Sequence, residues 1–518
     1  MSLPVLRTLG DLQRWRAGRS EPVHFVPTMG SLHQGHAQLI QRARTLGSGP
    51  RSVLVSVYVN PLQFGVGEDF AQYPRTLQAD LQLAAEAGAT ALWCPDDGQI
   101  YPGGAQEAFR LQVPESLQNR LCGAHRPGHF DGVATVVCRL LALTRPDWLV
   151  LGEKDWQQLT ILRHLIADLG LPTRISGCAT VRDPDGLACS SRNAYLTASE
   201  RVRAAQFPAL LQACAQQFRD RGTAVDPVQL SGALGATGLA VEYVDVLDPI
   251  SLQPARPDQA LCLLAAAVRC GQTRLIDHVF LMTRSPIVAI DGPAGAGKST
   301  VTRAFAERMG LLYLDTGAMY RAVTWWVQQK GADPADAHAV EQLLTNLEIE
   351  LEPLRDGIQT VRVNGDDVTD AIRDPRVTAS VSLVAAHACV RELLTRQQKR
   401  LGEQGGLVAE GRDIGTAVFP DAELKVFLTA TPEERARRRA KDLEARGHAV
   451  PDLAVLEAQI VERDRMDSTR DVAPLVQAVD ATELITDGMS IDEVIEALVD
   501  LFRFRVAEEA WPNPVGQG

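Results

Sequence analysis

Two short stretches of this chain combine glycines with side chains that handle phosphate. Residues 292–299, GPAGAGKS, match the pattern G-x-x-x-x-G-K-[ST] in full and follow the apolar, β-branched run IVAID. Glycines at such a strand-to-helix turn let backbone N–H groups curl around a polyphosphate at a helix N-terminus. Lys298 then places a point charge on the β- and γ-phosphates, and the Ser299 hydroxyl suits Mg2+. Residues 27–36, PTMGSLHQGH, sit between a second apolar run and a helical pattern, with His33 and His36 three apart. The chemistry expected there is stabilisation of charge building on an α-phosphate by imidazoles at a helix N-terminus. Two other readings stand beside it: zinc ligands, for which no acidic or thiol third ligand lies nearby in sequence, and plain caps of a tight turn made by Gly30 and Gly35.

Further polar clusters fall where apolar runs end. Residues 152–158, GEKDWQQ, offer the Lys154 ammonium and amides. Residues 189–193, CSSRN, offer hydroxyls and a guanidinium, and 60–64, NPLQF, place Gln63 just past another run. Polar groups gathered at strand C-terminal ends are what a shared nucleotide cleft requires, although each alone also reads as an ordinary loop. Later in the chain, Thr316 and Arg321 in LDTGAMYR could hold an anionic acceptor, and Glu410-Gly-Arg412-Asp413 follows the run 407–409. Arg435, Arg437, Arg438 and Arg439 on one helical stretch, and Arg463, Arg465 and Arg470 on another, read either as solvated faces or as a lid for a transferring phosphoryl group. Asp80 in YPRTLQADL reads as a solvated helix residue, with assistance to a metal as the alternative.

The elements that must position these groups follow from periodicity. Apolar runs at 23–27, 52–59 and 148–151 are followed by helical patterns at 35–46, 77–87 and 156–169. Strands alternating with amphipathic helices predict a parallel sheet covered on both faces. From residue 199 the texture changes to helix over 199–221 and strand-like runs at 241–247, 261–267 and 275–282, a smaller α+β domain. At Ile287 the strand–loop–helix pattern restarts. The fold expected is α/β, with a parallel-sheet domain over 1–198, the small α+β domain over 199–284 and a P-loop domain over 285–518; resemblance to known families implies that the first is a Rossmann-like nucleotidyltransferase and the last a nucleoside monophosphate kinase.

Length and composition agree with several soluble domains: 518 residues, 45% hydrophobic and 22% charged. The net charge of −12 argues against general nucleic-acid binding, which depends on neutralising phosphates. No apolar run approaches the ~18 residues of a membrane span, and the opening residues lack the pattern of a signal peptide. Nine cysteines without a C-x-x-C pair fit scattered reduced thiols, so a cytoplasmic setting is expected.

The region 287–505 resembles bacterial cytidylate kinase, carried by GPAGAGKST, LDTGAMYR, NGDDVTDAIR, EGRDIGTAVFPDAELKVFLTA and ERDRMDSTRDVAPL. The resemblance implies phosphoryl transfer from ATP to CMP or dCMP, giving ADP and CDP or dCDP. It implies ATP binding by Gly292, Pro293, Ala294, Gly295, Ala296, Gly297, Lys298, Ser299 and Thr300, with Lys298 catalytic. It places Thr316, Arg321, Arg412 and Arg470 near the acceptor phosphate, Ser382, Arg391 and Asp413 around cytosine, and Arg463 and Asp467 around the sugar. Those types suit the tasks: cytosine presents an N4 amino donor that a carboxylate accepts, and arginine forks a phosphate.

Residues 3–282 resemble pantothenate synthetase, the pantoate–β-alanine ligase, carried by PTMGSLHQGH, NPLQF, GHFDGVATVV, GEKDWQQL and CSSRNAYL. The resemblance implies that Met29, Gly30, Ser31, Leu32, His33, Gln34, Gly35 and His36 bind ATP, with His36 as proton donor. Gly152, Glu153, Lys154, Asp155, Val181, Cys189, Ser190, Ser191 and Arg192 would complete that ATP site. Gln63 and Gln158 would hold pantoate, Gln63 also β-alanine, and Trp156 receives no role. The implied reaction runs through pantoyl adenylate and pyrophosphate, then displacement of AMP by the β-alanine amine, with His33, His36, Lys154 and Mg2+ neutralising the departing charge. A homodimer through this half is also implied. Together the halves imply one bifunctional enzyme acting on small molecules, with ATP used at both sites.

Three rival readings remain. In a nucleotide-sensing switch the acceptor set Arg321, Arg412, Asp413 and Arg470 would have no use. A nucleotidyltransferase for another acid is opposed by Gln63 and Gln158 only through the resemblance. A fusion with one decayed half is opposed by the intact motifs in both.

Overall fold

The computed structural model describes residues 3–512 and 514, other than 48, 66, 67, 69, 353–358, 446 and 448. The chain forms two compact units. The first comprises Met1–Thr283 and Ala507–Pro512, and the second is built around Arg284–Val506.

In the first unit, strands β1 (Val5–Leu6), β2 (Val23–Thr28), β3 (Ser52–Val57), β4 (Ala91–Trp93), β5 (Trp148–Gly152) and β6 (Arg174–Cys178) form one parallel sheet in the order β1-β4-β3-β2-β5-β6. β2 and β3 are almost wholly buried, as expected of parallel strands covered on both faces. Val26, Val55, Leu92 and Val150 pack with Ile40 of the helix Gln34–Thr45. The order reverses between β2 and β5. At that point the connections leave to opposite sides and open a crevice beyond the strand ends.

A second sheet is antiparallel: β7 (Ala240–Leu247), β8 (Leu261–Cys270) and β9 (Thr273–Met282). The β8–β9 hairpin closes through Gly271 and Gln272, with Gly271 at φ 60. The helix Gln206–Arg221 covers this sheet, burying Phe207 and Leu211 against Leu264, Ala266 and Val268.

The second unit has a parallel sheet of β10 (Ile287–Asp291), β11 (Leu312–Asp315), β15 (Leu407–Gly411), β16 (Leu424–Thr429) and β17 (Thr482–Ile485), ordered β11-β15-β10-β16-β17. Between β11 and β15 lie the short antiparallel strands β12 (Ile349–Leu351), β13 (Val361–Val363) and β14 (Asp366–Asp367). The β13–β14 turn uses Asn364 and Gly365 at positive φ, the backbone a tight hairpin requires. Ala289, Leu314, Met319, Val323, Leu407 and Ala409 share the core.

Two expected boundaries shift. Arg284 belongs with the second unit, where its guanidinium pairs with Asp421 and Glu423, each at 2.9 Å. Ala507–Pro512, expected inside the kinase domain, belongs to the first unit, because its backbone and side chains hydrogen-bond there. Among the described residues no single helix is long and apolar enough to cross a membrane.

Candidate active sites

The loop leaving β2 turns through Gly30 and Ser31, at φ 84 and 52. Ser31 is forced into the left-handed region, and a buried carboxylate holds it there: Asp80 accepts the backbone N–H groups of Ser31 (3.2 Å) and Leu32 (2.8 Å) and the Thr76 hydroxyl (3.1 Å). The solvated-residue reading of Asp80 is therefore wrong. Its helix, Leu77–Ala87, packs against the helix Gln34–Thr45 and carries Asp80 on its buried face with Ala84 and Ala87.

His33 caps the helix Gln34–Thr45. Its Nδ1 accepts the Gly35 N–H at 3.2 Å, and His36 Nδ1 accepts the His33 N–H at 3.3 Å. The rings sit 4.1 Å apart. Burial pushes the His33 ring down to about 4, helped by the Lys154 ammonium, and the His36 ring to about 3, helped by His33. Both are neutral at pH 7. Because each Nδ1 accepts a backbone proton, each ring must carry its own proton on Nε2. Each histidine thus caps the turn, as one of the readings from sequence has it, while carrying an Nε2–H donor. For zinc, no third ligand joins them among the described residues.

A cavity of about 270 Å³ lies at the β2–β5 crevice and is lined by Met29, His33, Gly35, His36, Gln63, Gly152, Lys154, Asp155, Gln158, Val181 and the run Cys189, Ser190, Ser191 and Arg192. A neighbouring cavity of about 720 Å³ shares Lys154, Asp155, Gln158, Ser190 and Arg192, so the space extends toward the second sheet. Gly30, Ser31, Leu32 and Gln34 shape the turn and do not line this space. Glu153 is also absent from the lining; its buried carboxylate, pushed up to about 7 by burial, accepts backbone N–H groups of Glu508 and Glu509. The Cys189 thiol, pushed up to about 11 by burial, donates to Asp183 and stays neutral. Trp156 is buried and donates to the Pro249 carbonyl at 2.7 Å, a structural contact.

Asn60, in the cluster expected at the cleft, lines it, whereas sequence reasoning missed Arg126 and His129 as lining residues. Asn60 donates to the Gln63 side-chain oxygen (3.0 Å), while Arg126 and His129 hold the Gln63 carbonyl at 3.2 and 2.8 Å. A Cβ on Gly132 would lie 2.1 Å from the Leu62 carbonyl, so only glycine lets the helix His129–Thr144 approach this closely. The string GHFDGVATVV contained the signal, but its partner loop lies far off in sequence.

In the second unit, Gly292 at φ 149 passes so near β16 that a Cβ would meet the Leu428 carbonyl at 2.0 Å. Lys298 donates to the Gly292 and Pro293 carbonyls at 2.7 and 2.8 Å, curling the loop around its own ammonium. Burial, then the Arg412 charge, holds this lysine well below its ordinary range. One Glu410 oxygen accepts the Ser299 hydroxyl at 2.6 Å and the Tyr313 hydroxyl at 2.9 Å; the other is buried without a partner among the described residues. Arg435 and Arg438 each donate to a loop carbonyl, Ala294 and Ala296, at 3.1 Å. Arg437, Arg439 and Arg465 pair with carboxylates three or four residues away on exposed helix faces. The arginine stretch is therefore part loop support and part solvated face.

The expected acceptor residues gather beside this loop. Thr316 donates to the Glu410 carbonyl (2.7 Å), Arg321 to Asp315 (3.0 Å) and Arg412 to Asp467 (3.1 Å). Buried Arg391 pairs with buried Asp413, and Arg470 lies 3.6 Å from the same carboxylate. Arg321 Nε, Arg391 Nε, Arg463 Nε and Arg470 Nη2 are buried with no hydrogen-bond partner among the described residues. Burial and neighbouring guanidiniums hold Arg463 and Arg470 below the usual arginine range. Donors of this kind, in excess of the carboxylates beside them, suit an anionic group with several oxygens. Ser382 lies half-buried on the helix Pro375–Ala386, and no hydrogen bond among the described residues joins it to Arg391 or Asp413.

Comparisons with known proteins bear on both units. The pantoate-beta-alanine ligase family matches residues 4–280 and the cytidylate kinase family matches 288–504. The bifunctional pantoate ligase/cytidylate kinase of Synechococcus sp. (strain WH7803) is 71% identical over 492 residues, covering 94% of this chain and 100% of the relative. A counterpart in Prochlorococcus marinus is 56% identical over 520 residues, covering 99% of each. Among solved structures, pantothenate synthetase from Thermus thermophilus aligns with 40% identity and TM-score 0.49, covering 54% of this chain and 99% of that one. With both halves matched and nearly the whole length shared, the chain belongs to the bifunctional pantoate ligase/cytidylate kinase family and carries both enzymatic activities.

Proposed function

We propose that the crevice of the first unit forms and consumes pantoyl adenylate, and that the loop and arginine cluster of the second unit transfer the γ-phosphoryl group of ATP to CMP or dCMP. One observation carries this reading: each unit has its own strand–loop–helix turn with backbone N–H groups and buried donors around it, so α- and γ-phosphate chemistry need not share a site.

In the first crevice His33, His36 and Lys154 donate to charge that grows as pantoate's carboxylate attacks the α-phosphate. Gln63, held by Asn60, Arg126 and His129, and Gln158 orient pantoate, and Gln63 also meets β-alanine. In the second unit Arg321, Arg412 and Arg470 donate to the acceptor phosphate, with Thr316 beside them. Asp413 and Arg391 read cytosine, joined by Ser382, while Arg463 and Asp467 meet the sugar. Mg2+ fits the oxygen donors of Ser299 and Glu410, whose second carboxylate oxygen is buried without a partner among the described residues. When bound there it would offset phosphate charge; Lys298 and the loop N–H groups orient the same oxygens.

The nine cysteines are all free thiols, which supports a reducing, cytoplasmic setting. The ligase half is proposed as the dimer contact, checked by light scattering. The central test is a substrate panel with ATP. Pantoate with β-alanine is expected to release AMP and pyrophosphate, and CMP or dCMP to release ADP. AMP release with CMP alone, or ADP release with pantoate and β-alanine alone, would refute the division.

A further inference from the structure

The segment Ala507–Pro512 follows the kinase helix Ile491–Arg505, yet it belongs to the first unit. Two of its residues reach four elements of the first unit. The backbone N–H groups of Glu508 and Glu509 donate to the two oxygens of buried Glu153, at 2.7 and 3.0 Å. The Glu509 carboxylate accepts the Thr180 N–H at 2.8 Å and the Thr180 hydroxyl, and its other oxygen lies 3.6 Å from the buried His278 ring on β9. The Glu508 carboxylate pairs at 2.5 Å with Arg42 of the helix that His33 caps.

The contacts to Glu153 and Thr180 fall on or next to residues that line the cavity. Glu153 stands between Gly152 and Lys154, and Thr180 stands beside Val181; Gly152, Lys154, Thr180 and Val181 all line the cavity. A carboxylate buried in this way needs donors, and a loop N–H needs an acceptor, before either loop has one preferred position.

We propose that Ala507–Pro512 is a positioning element of the ligase site, with Glu509 as the residue that fixes the loop after β6 against the loop after β5 and so sets affinity for ATP. The proposal rests on the reading of this crevice as the ATP site. Pantothenate formation thus depends on residues that follow the kinase in sequence, so the ligase activity does not map onto one uninterrupted half of the chain.

The test compares E509A with E509Q in the full chain. Glutamine keeps a side-chain oxygen for Thr180, whereas alanine removes it. E509A is expected to raise the KM for ATP in pantothenate formation about tenfold, the scale of one hydrogen bond to a charged group. Its kcat and its KM for β-alanine should stay within about threefold, and E509Q should stay near wild type on the same scale. A second variant replaces 507–512 by alternating Gly and Ser and should show at least the same rise in KM for ATP. CMP phosphorylation, unchanged in all variants, reports that the second unit remains folded. An unchanged KM for ATP in E509A, even with a lowered Tm, overturns the proposal, as does an equal rise in both KM values. Wild-type enzyme that releases no AMP from pantoate and β-alanine refutes the reading of the crevice itself, and the proposal with it.

Discussion

Replacing His36 with alanine tests the ligase reading most directly. The ring contributes two separable things: Nδ1 accepts the His33 N–H at 3.3 Å, and the ring lines the cavity, where its Nε2–H is the proposed donor. Losing the cap should cost about 1 kcal/mol of stability. Losing a donor aimed at transition-state charge costs about 10²–10³ in rate, or roughly 2.7–4 kcal/mol. His36→Ala is therefore expected to lower the maximal rate of pyrophosphate release by that factor, with CMP phosphorylation in the same sample unchanged. His36→Asn restores an acceptor for the cap but not the placed donor, so its rate should stay low while its Tm recovers. The neutral ring gives a second readout. With the free-enzyme ring titrating near 3, kcat/KM for ATP should show no loss centred at 6.5 from this residue. Pyrophosphate release by His36→Ala within about fivefold of wild type would refute the donor role and leave the histidine a cap.

Lys298→Ala should lower ADP formation from CMP by about a thousandfold, the scale on which phosphate-clamp charges act, and leave AMP release intact, as coupled assays of both products would show. Asp413→Asn should shrink the kcat/KM preference for CMP over UMP, because an amide donates as well as accepts. It should also lower stability by about 3 kcal/mol, since buried Arg391 loses its carboxylate; an unchanged CMP/UMP ratio assigns base reading elsewhere. For pH, His33, His36 and His129 have folded-state values pushed by burial to about 4, 3 and 4. Their contribution is fully present above the unfolded value near 6.5 and is lost as pH falls through the folded values, so calorimetry should show the first unit destabilised between pH 6.5 and 4. Glu153, raised to about 7, runs the other way: its contribution is present below the unfolded value and lost as pH rises through 7.

What the sequence determined by itself is local. A β-branched run, a glycine turn and a helical period specify a strand–loop–helix unit within a few dozen residues, and that unit already aims backbone N–H groups at phosphate. The P-loop, the His33–His36 cap and the strands before them were legible for that reason, as were the runs that form β7 to β9, whose antiparallel pairing only the structure supplied. The roles of Asp80, Arg126 and His129 were not, because each depends on a loop brought to it by sheet order instead of by spacing along the chain. The tertiary structure also separated the arginines that support the P-loop from those that face water, since burial and not composition distinguishes them. It alone assigned Ala507–Pro512 to the first unit. A few backbone N–H groups and two carboxylates leave no periodic signature, and their partners at Glu153 and Thr180 become visible only when the fold has brought the strand ends together.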